Sequence, residues 1–102
     1  MIHGLNDREV SNINKASEEL PEIKEVVIFG SRAKGNFKKA SDIDLAVKGR
    51  SVTDTTIKSL SGQLNEEMPM PYFFDIVHYE SISNSDLLDH IDRVGIVIYK
   101  RK

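Results

Sequence analysis

The sequence predicts an α/β (α+β) fold with a small mixed β-sheet of about four strands flanked by helices. Segments with helical spacing of apolar residues alternate with short runs rich in β-branched residues. No internal repeat, low-complexity tract or linker interrupts this alternation, so residues 1–102 are predicted to form one domain. The two strands around the central loop are joined too closely for a crossover helix, which predicts a mixed sheet.

The first half of the chain contains one helix and two strands. Asn6 is a predicted N-cap with Glu9 three residues later, as in a capping box, and Pro21 ends the helix. The β-branched run at residues 23–29 predicts a buried strand that ends at Gly30. A loop or short helix over residues 31–41 follows, and then a strand, 42–48, begins with two aspartates.

The second half repeats the alternation. Residues 53–67 place Ile57, Leu60 and Leu64 on one face of a helix. Residues 72–78 form the third predicted strand, in which Tyr72, Phe73 and Phe74 are interpreted as core and edge packing. A short helix capped by Ser83 or Ser85 leads to a final strand, 94–99. The histidines receive no special role, and His90 is assigned to a surface helix.

Composition excludes several classes of protein. The chain has no cysteine, which excludes a disulfide scaffold, a thiolate zinc site, an iron–sulfur cluster and a cysteine nucleophile. The net charge of −2 argues against a globally basic nucleic-acid binder, so no direct nucleic-acid binding is expected. No apolar run approaches the roughly 18 residues of a membrane span, and the N-terminus lacks a signal-peptide pattern. We therefore expect a cytoplasmic protein without membrane attachment.

Charge is unevenly distributed along the chain. Between Phe29 and Arg50 the only acidic residues are Asp42 and Asp44. On a strand, residues two apart point to the same face, so these carboxylates would lie side by side and repel each other. A bound Mg²⁺ would relieve the repulsion. The same segment is otherwise basic and predicts phosphate chemistry with a divalent cation: Arg32, Lys34, Lys38, Lys39, Lys48 and Arg50.

The glycine-containing loop supplies the second half of this predicted site. A strand that ends in Gly30-Ser31 offers backbone N–H groups and a hydroxyl to phosphate oxygens. Gly35 permits a positive φ in the turn that follows. A P-loop is disfavoured, because Asn36 and Phe37 stand where Lys and Ser or Thr are required. A G-x-G-x-x-G motif is absent, and the chain is too short for a typical D-x-D glycosyltransferase.

These residues together resemble the signature of the polymerase-β-like nucleotidyltransferase superfamily, and in particular its minimal nucleotidyltransferases, which are encoded beside a helical HEPN-domain partner. Asp75 on a later strand matches the third carboxylate of that family. The closing segment 91–99 also resembles the end of such chains. The signature reads Gly30-Ser31-x-Ala33-x-Gly35, then five residues, then Ser41-Asp42-x-Asp44-Leu45.

The resemblance implies a fold, a reaction and a set of roles. Asp42, Asp44 and Asp75 would be the catalytic and metal-ligating residues for two Mg²⁺ ions, with Asp75 also orienting the attacking hydroxyl. The reaction would transfer AMP from ATP, with release of pyrophosphate, to a tyrosine of the HEPN-type partner, and the protein would act as an antitoxin. The residues implied to bind the nucleotide are Gly30, Ser31, Arg32, Gly35 and Ser41.

Two alternatives remain beside this expectation. The chain could be an interaction module, an antitoxin that neutralises its partner by binding with little or no catalysis. A nucleic-acid polymerase is disfavoured, because no chain is left for template-binding elements. The oligomeric state is open between a homo-oligomer and a hetero-oligomer. The small size predicts that another polypeptide supplies most of the acceptor's binding surface.

Overall fold

A computed structural model describes residues 3–38, 41–68 and 70–101 of the chain, so Lys39 lies outside the described residues. Four strands form one sheet in the order β3-β2-β1-β4. The strands are β1 Glu25–Phe29, β2 Ile43–Lys48, β3 Phe74–His78 and β4 Ile96–Lys100. The helices are α1 Asp7–Glu18, α2 Gly30–Lys34, α3 Asp54–Gly62 and α4 Ser85–Val94. A π-helical turn, Gln63–Glu67, extends α3, and a 3₁₀ turn, Tyr79–Ser81, follows β3.

The sheet is mixed, as predicted. β1 runs antiparallel to both β2 and β4, whereas β2 and β3 are parallel. The loop between β1 and β2 holds only the short helix α2, and the parallel pair is joined through the longer α3 segment, as a parallel connection requires. In the part of the chain that is described, no helix is long and apolar enough to span a membrane.

Strand alternation gives the sheet two different faces. Val26, Ile28 and Leu45 belong to the main core, with residues of α1 and α3. Val27, Phe29, Ala46 and the α4 residue Ile91 form a smaller second core on the opposite face. Asp44 lies between two main-core residues of β2, and Asp75 lies between two of β3. Both aspartates are therefore placed on the α4 face of the sheet.

Several predicted boundaries are corrected. The capping box of Asn6 and Glu9 is confirmed at the start of α1. The prediction that Ser83 or Ser85 caps the last helix is wrong: the Asn84 side chain accepts the first-turn N–H groups, which suits an N-cap asparagine. The strand predicted at 94–99 begins at Ile96, because α4 extends further than expected.

Candidate active site

The predicted carboxylates meet where β1 ends and where β2 and β3 begin. Asp44 pairs with Phe29 of β1 on one side and with Asp75 of β3 on the other. Neighbouring strands are about 5 Å apart, so Asp44 and Asp75 stand next to each other on the α4 face. Asp42 directly precedes β2, so it is not within the strand as predicted, but it lies at the same end. The structure thus gathers the three carboxylates at one end of the sheet.

The electrostatic state of Asp44 reflects this arrangement. Burial raises the pKa of the Asp44 carboxyl, and the nearby charges of Asp75 and Asp42 raise it further, while His90 acts to lower it. The expected repulsion between paired carboxylates is therefore present. Asp75, by contrast, is exposed on the edge strand β3.

Gly30 is required at the end of β1 by both conformation and space. Its φ is +73°, which side-chain-bearing residues rarely adopt. A Cβ at this position would collide with the Asp44 carboxylate. The absence of a side chain at Gly30 therefore allows Asp44 to approach the start of α2.

The Gly30 N–H is already bound within the protein. It donates a hydrogen bond to His90 Nε2 at 3.1 Å, so Gly30 contributes its conformation rather than this N–H to the predicted phosphate site. The assignment of His90 to a surface helix without a role missed this contact. The sequence contained one signal that His90 faces the sheet. His90 is three residues after Leu87 and one before Ile91, and both of these α4 side chains join the second core.

The segment after Gly30 forms a single compact turn. Ser31, the predicted phosphate-binding hydroxyl, is half-buried at the start of α2. At the other end Gly35 adopts φ +81°, its N–H donates to Arg32 O at 3.3 Å, and the Asn36 N–H donates to Ser31 O at 3.2 Å. This pair of bonds is a Schellman C-cap, so the predicted positive φ at Gly35 is confirmed.

Arg32, a predicted nucleotide-binding residue, is buried within the fold. Its side chain is 1% exposed, and its guanidinium donates to His3 O at 3.3 Å and to Ser41 O at 3.0 Å. The guanidinium carbon also lies 4.4 Å from the Phe37 ring centroid and 4.8 Å from that of Tyr72. These contacts hold the signature loop against the N-terminal segment and leave almost no surface for a nucleotide. We therefore assign Arg32 to supporting the loop.

Ser41 is likewise engaged in the loop. Its Oγ accepts the Lys38 N–H at 2.8 Å, and its own N–H donates to Lys38 O at 3.0 Å. A serine hydroxyl that accepts one hydrogen bond can also donate one. Ser41 thus closes the turn immediately before Asp42, and its predicted role with the nucleotide stays a prediction.

The donor chemistry at this end of the sheet suits a hard divalent cation. Within residues 3–38, 41–68 and 70–101, no three His, Cys, Asp or Glu side chains converge closely enough to hold a metal by themselves. Mg²⁺ does not require such a cage, because it commonly binds one or two carboxylates together with water and substrate phosphate oxygens. Asp44 and the neighbouring Asp42 and Asp75 fit that requirement, and a cation there would offset the repulsion that raises the pKa of Asp44.

Sequence comparisons relate this chain to a known protein family. A family model described as Polymerase beta, Nucleotidyltransferase matches residues 11–102. A curated relative, the "Probable protein adenylyltransferase MntA" of Haemophilus influenzae (strain ATCC 51907 / DSM 11121 / KW20 / Rd), is 26% identical over 98 residues. That match spans 96% of this chain and 85% of the relative.

Solved structures share the fold. A crystal structure of a toxin-antitoxin with AMP-PNP superposes with a TM-score of 0.72 at 20% identity, covering 96% of this chain and 76% of that chain. A tri-AMPylated Shewanella oneidensis HEPN toxin in complex with MNT antitoxin gives a TM-score of 0.71 at 18% identity, covering 95% of this chain and 74% of that chain. At these identities the agreement establishes the fold.

Proposed function

This chain belongs to the polymerase beta nucleotidyltransferase family, and we propose that it transfers AMP from ATP to a hydroxyl of a helical partner protein. The predicted family and the predicted class of enzyme, a nucleotidyltransferase, are thereby confirmed. The acceptor we propose is a tyrosine of a HEPN-type protein, which the transfer would silence, so that this chain acts as its antitoxin. The pairing of Asp44 with Asp75 beside the Gly30 turn is the observation that carries the proposal.

The relatives support both the donor and the acceptor. The Haemophilus influenzae protein is called a probable protein adenylyltransferase, which favours AMP as the group transferred and a protein as its acceptor. One structural neighbour is a toxin-antitoxin with AMP-PNP, an ATP analogue, and another pairs an AMPylated HEPN toxin with an MNT antitoxin. Because the identities are low, donor and acceptor are proposals for this chain, supported by what these relatives are named for.

Different residues of the chain would bind the triphosphate, hold Mg²⁺ and accept the proton of the acceptor hydroxyl. The hydroxyl of Ser31 and the amides that follow Gly30 bind the triphosphate. Asp42, Asp44 and Asp75 would hold Mg²⁺, which supplies charge neutralisation at the phosphates and orients them for displacement. Asp75, exposed on the edge strand, accepts the proton of the incoming hydroxyl. That oxygen bonds to the α-phosphorus as the bond to the β-phosphate oxygen breaks, and pyrophosphate leaves.

A transfer assay tests the proposal directly. The protein is incubated with the product of its neighbouring gene, labelled ATP and Mg²⁺, and the partner is analysed by mass spectrometry for one or more added AMP groups. We expect an adduct with the wild type and a loss of at least about 100-fold with Asp44→Asn. Omission of Mg²⁺ should abolish the adduct as well.

A matched control separates site chemistry from general charge. Asp89→Asn removes an exposed carboxylate of α4 that accepts a hydrogen bond from Arg93 Nε at 2.7 Å. Such pairs contribute little to stability, so this variant should transfer AMP as the wild type does. No adduct in the wild type would contradict the transfer, and neutralisation of the partner without an adduct would favour an antitoxin that acts by binding. An adduct that survives Asp44→Asn would contradict the site.

A further inference from the structure

His90 links α4 to the turn that begins the nucleotide site. Its Nε2 accepts the Gly30 N–H at 3.1 Å, across 60 positions of the chain. Its ring also meets the Phe29 ring edge-on, with centroids 6.1 Å apart and an interplanar angle of 78°. The hydrogen bond fixes one ring nitrogen and the aromatic contact fixes the ring plane, so both the place and the orientation of the imidazole are set.

The hydrogen bond defines the state of the imidazole. A ring nitrogen that accepts an N–H carries no hydrogen itself, so neutral His90 has its proton on Nδ1. The Gly30 N–H in turn is satisfied by a side chain rather than by the β1–β2 ladder, which has just ended at Phe29. His90 thus supplies the acceptor at the point where the chain leaves the sheet in a left-handed conformation.

We propose that His90 is a positioning residue of the nucleotide site, which fixes the Gly30 peptide so that Ser31 faces the triphosphate and Gly30 stays clear of Asp44. The inference deepens the proposed function and relies on it only for the nature of the ligand. Gly30 lies so close to the Asp44 carboxylate that a Cβ would collide with it, so the conformation of the Gly30 peptide sets how the turn packs beside that carboxylate. By fixing the Gly30 peptide, His90 would maintain both the orientation of Ser31 and the position of the turn beside Asp44.

Other parts of the molecule agree with this role. Ile91, the neighbour of His90, is 2% exposed in the second core, so the helix that carries His90 is anchored to the sheet. Because the Gly30 N–H is occupied, the phosphate-binding donors begin at Ser31.

Nucleotide binding without an acceptor tests the proposal. The affinity for AMP-PNP with Mg²⁺ is measured by calorimetry for the wild type, His90→Ala and His90→Gln. We expect His90→Ala to weaken binding about 10-fold, as for loss of one hydrogen bond that orders a site. Gln can place an amide oxygen near the position of Nε2, so His90→Gln should restore affinity to within about 3-fold of the wild type.

A second histidine provides the control. His78 Nε2 lies 3.1 Å from Gly49 O at the opposite end of β2 and β3, so His78→Ala removes a comparable side chain far from the carboxylates. We expect its nucleotide affinity to equal that of the wild type. In transfer assays, His90→Ala should raise the KM for ATP more than it lowers kcat, and it should leave the KM for the acceptor unchanged.

A spectroscopic measurement on the wild type keeps the test independent of how the variants fold. Nitrogen-15 NMR should show His90 Nε2 without a proton and Nδ1 protonated. It should also show a coupling across the hydrogen bond between the Gly30 N–H and His90 Nε2. A protonated Nε2 in the neutral ring, unchanged affinity in His90→Ala, or equal weakening by Ala and Gln would overturn the proposal. Because AMP-PNP binding needs no acceptor, a failure of AMP transfer to the partner leaves this test intact.

Discussion

The two ends of the sheet differ in whether their charged side chains have partners within the protein. At the end far from the aspartates, Lys48 lies 3.4 Å from Glu25, and the Glu80 carboxylate accepts the Gly49 N–H at 3.0 and 3.1 Å. Arg101 donates to backbone carbonyl oxygens there, at 2.9 to 3.3 Å, on Ile23, Leu20 and Ser17. Charged groups at this end are compensated by the protein itself.

The carboxylate end has no such compensation. No lysine or arginine in the described ranges forms an ion pair with Asp42, Asp44 or Asp75, and the pKa of Asp44 is raised by burial and by its two neighbours. Compensated charge contributes to folding, whereas uncompensated charge of one sign is a cost that a ligand can remove. Paired charges at the far end stabilise the fold, whereas the carboxylates left unpaired in the described part of the chain are the observation behind the proposed cation site.

The largest effect should come from a methyl group at the carboxylate end. Gly30→Ala adds a Cβ to a residue at φ +73° and directs it into the Asp44 carboxylate, so AMP transfer should fall by roughly 100-fold and the free energy of unfolding by about 1–3 kcal/mol. Gly35→Ala is the control, because its Cβ meets nothing within 4 Å. That variant should lose about 1 kcal/mol for its positive φ and retain most activity. Urea unfolding measures the stability of each variant, and the transfer assay measures its activity. Equal activities in Gly30→Ala and Gly35→Ala would contradict a special requirement for glycine at position 30.

At the compensated end, the expected effect is on stability alone. Arg101→Ala removes hydrogen bonds to carbonyl oxygens around the end of α1 and the start of β1, and should lower the free energy of unfolding by about 1–3 kcal/mol. Lys100→Ala, an exposed neighbour on β4, should change it by less than about 0.5 kcal/mol. Nucleotide affinity should be unchanged in both folded variants. Weaker AMP-PNP binding in Arg101→Ala would show that the two ends are coupled.

An exposed aromatic residue near Asp75 tests whether the acceptor protein binds at the carboxylate end of the sheet. Phe73 is 57% exposed and immediately precedes β3, two residues before Asp75, whereas Val97 is 50% exposed on the opposite edge strand. If the acceptor hydroxyl meets Asp75, the acceptor protein passes over Phe73. Phe73→Ala should then raise the KM for the acceptor about 3- to 10-fold, with the KM for ATP unchanged, while Val97→Ala changes neither. A selective rise in the KM for ATP would instead place Phe73 against the nucleotide.

The smallest effect concerns the stability of the protein without ligand. Because the folded-state pKa of Asp44 is raised, the folded state holds its proton more tightly than the unfolded state, so this group favours folding less as the pH rises through its folded-state pKa. Asp44→Asn removes that dependence. At neutral pH without Mg²⁺ its Tm should equal or slightly exceed that of the wild type. Mg²⁺ should raise the Tm of the wild type only, and a destabilised variant would mean that Asp44 supports the fold.

Sequence reasoning was most successful where the signal is local. The capping box at Asn6, the alternation of helices and strands, the mixed sheet and the positive φ of Gly35 all follow from residues within a few positions of one another. Boundaries were less accurate: the last helix is capped by Asn84 and extends into the predicted final strand, because helix ends depend on weak competing preferences.

The sequence by itself determined the family, the order of the motif and the presence of three candidate carboxylates. Only the tertiary structure decided that Asp44 and Asp75 are register partners, that Arg32 is buried between Phe37 and Tyr72, and that His90 binds Gly30. Each of these depends on contacts between segments far apart in the chain. Periodicity reports which face of an element is apolar, but it contains no information about which distant element meets that face.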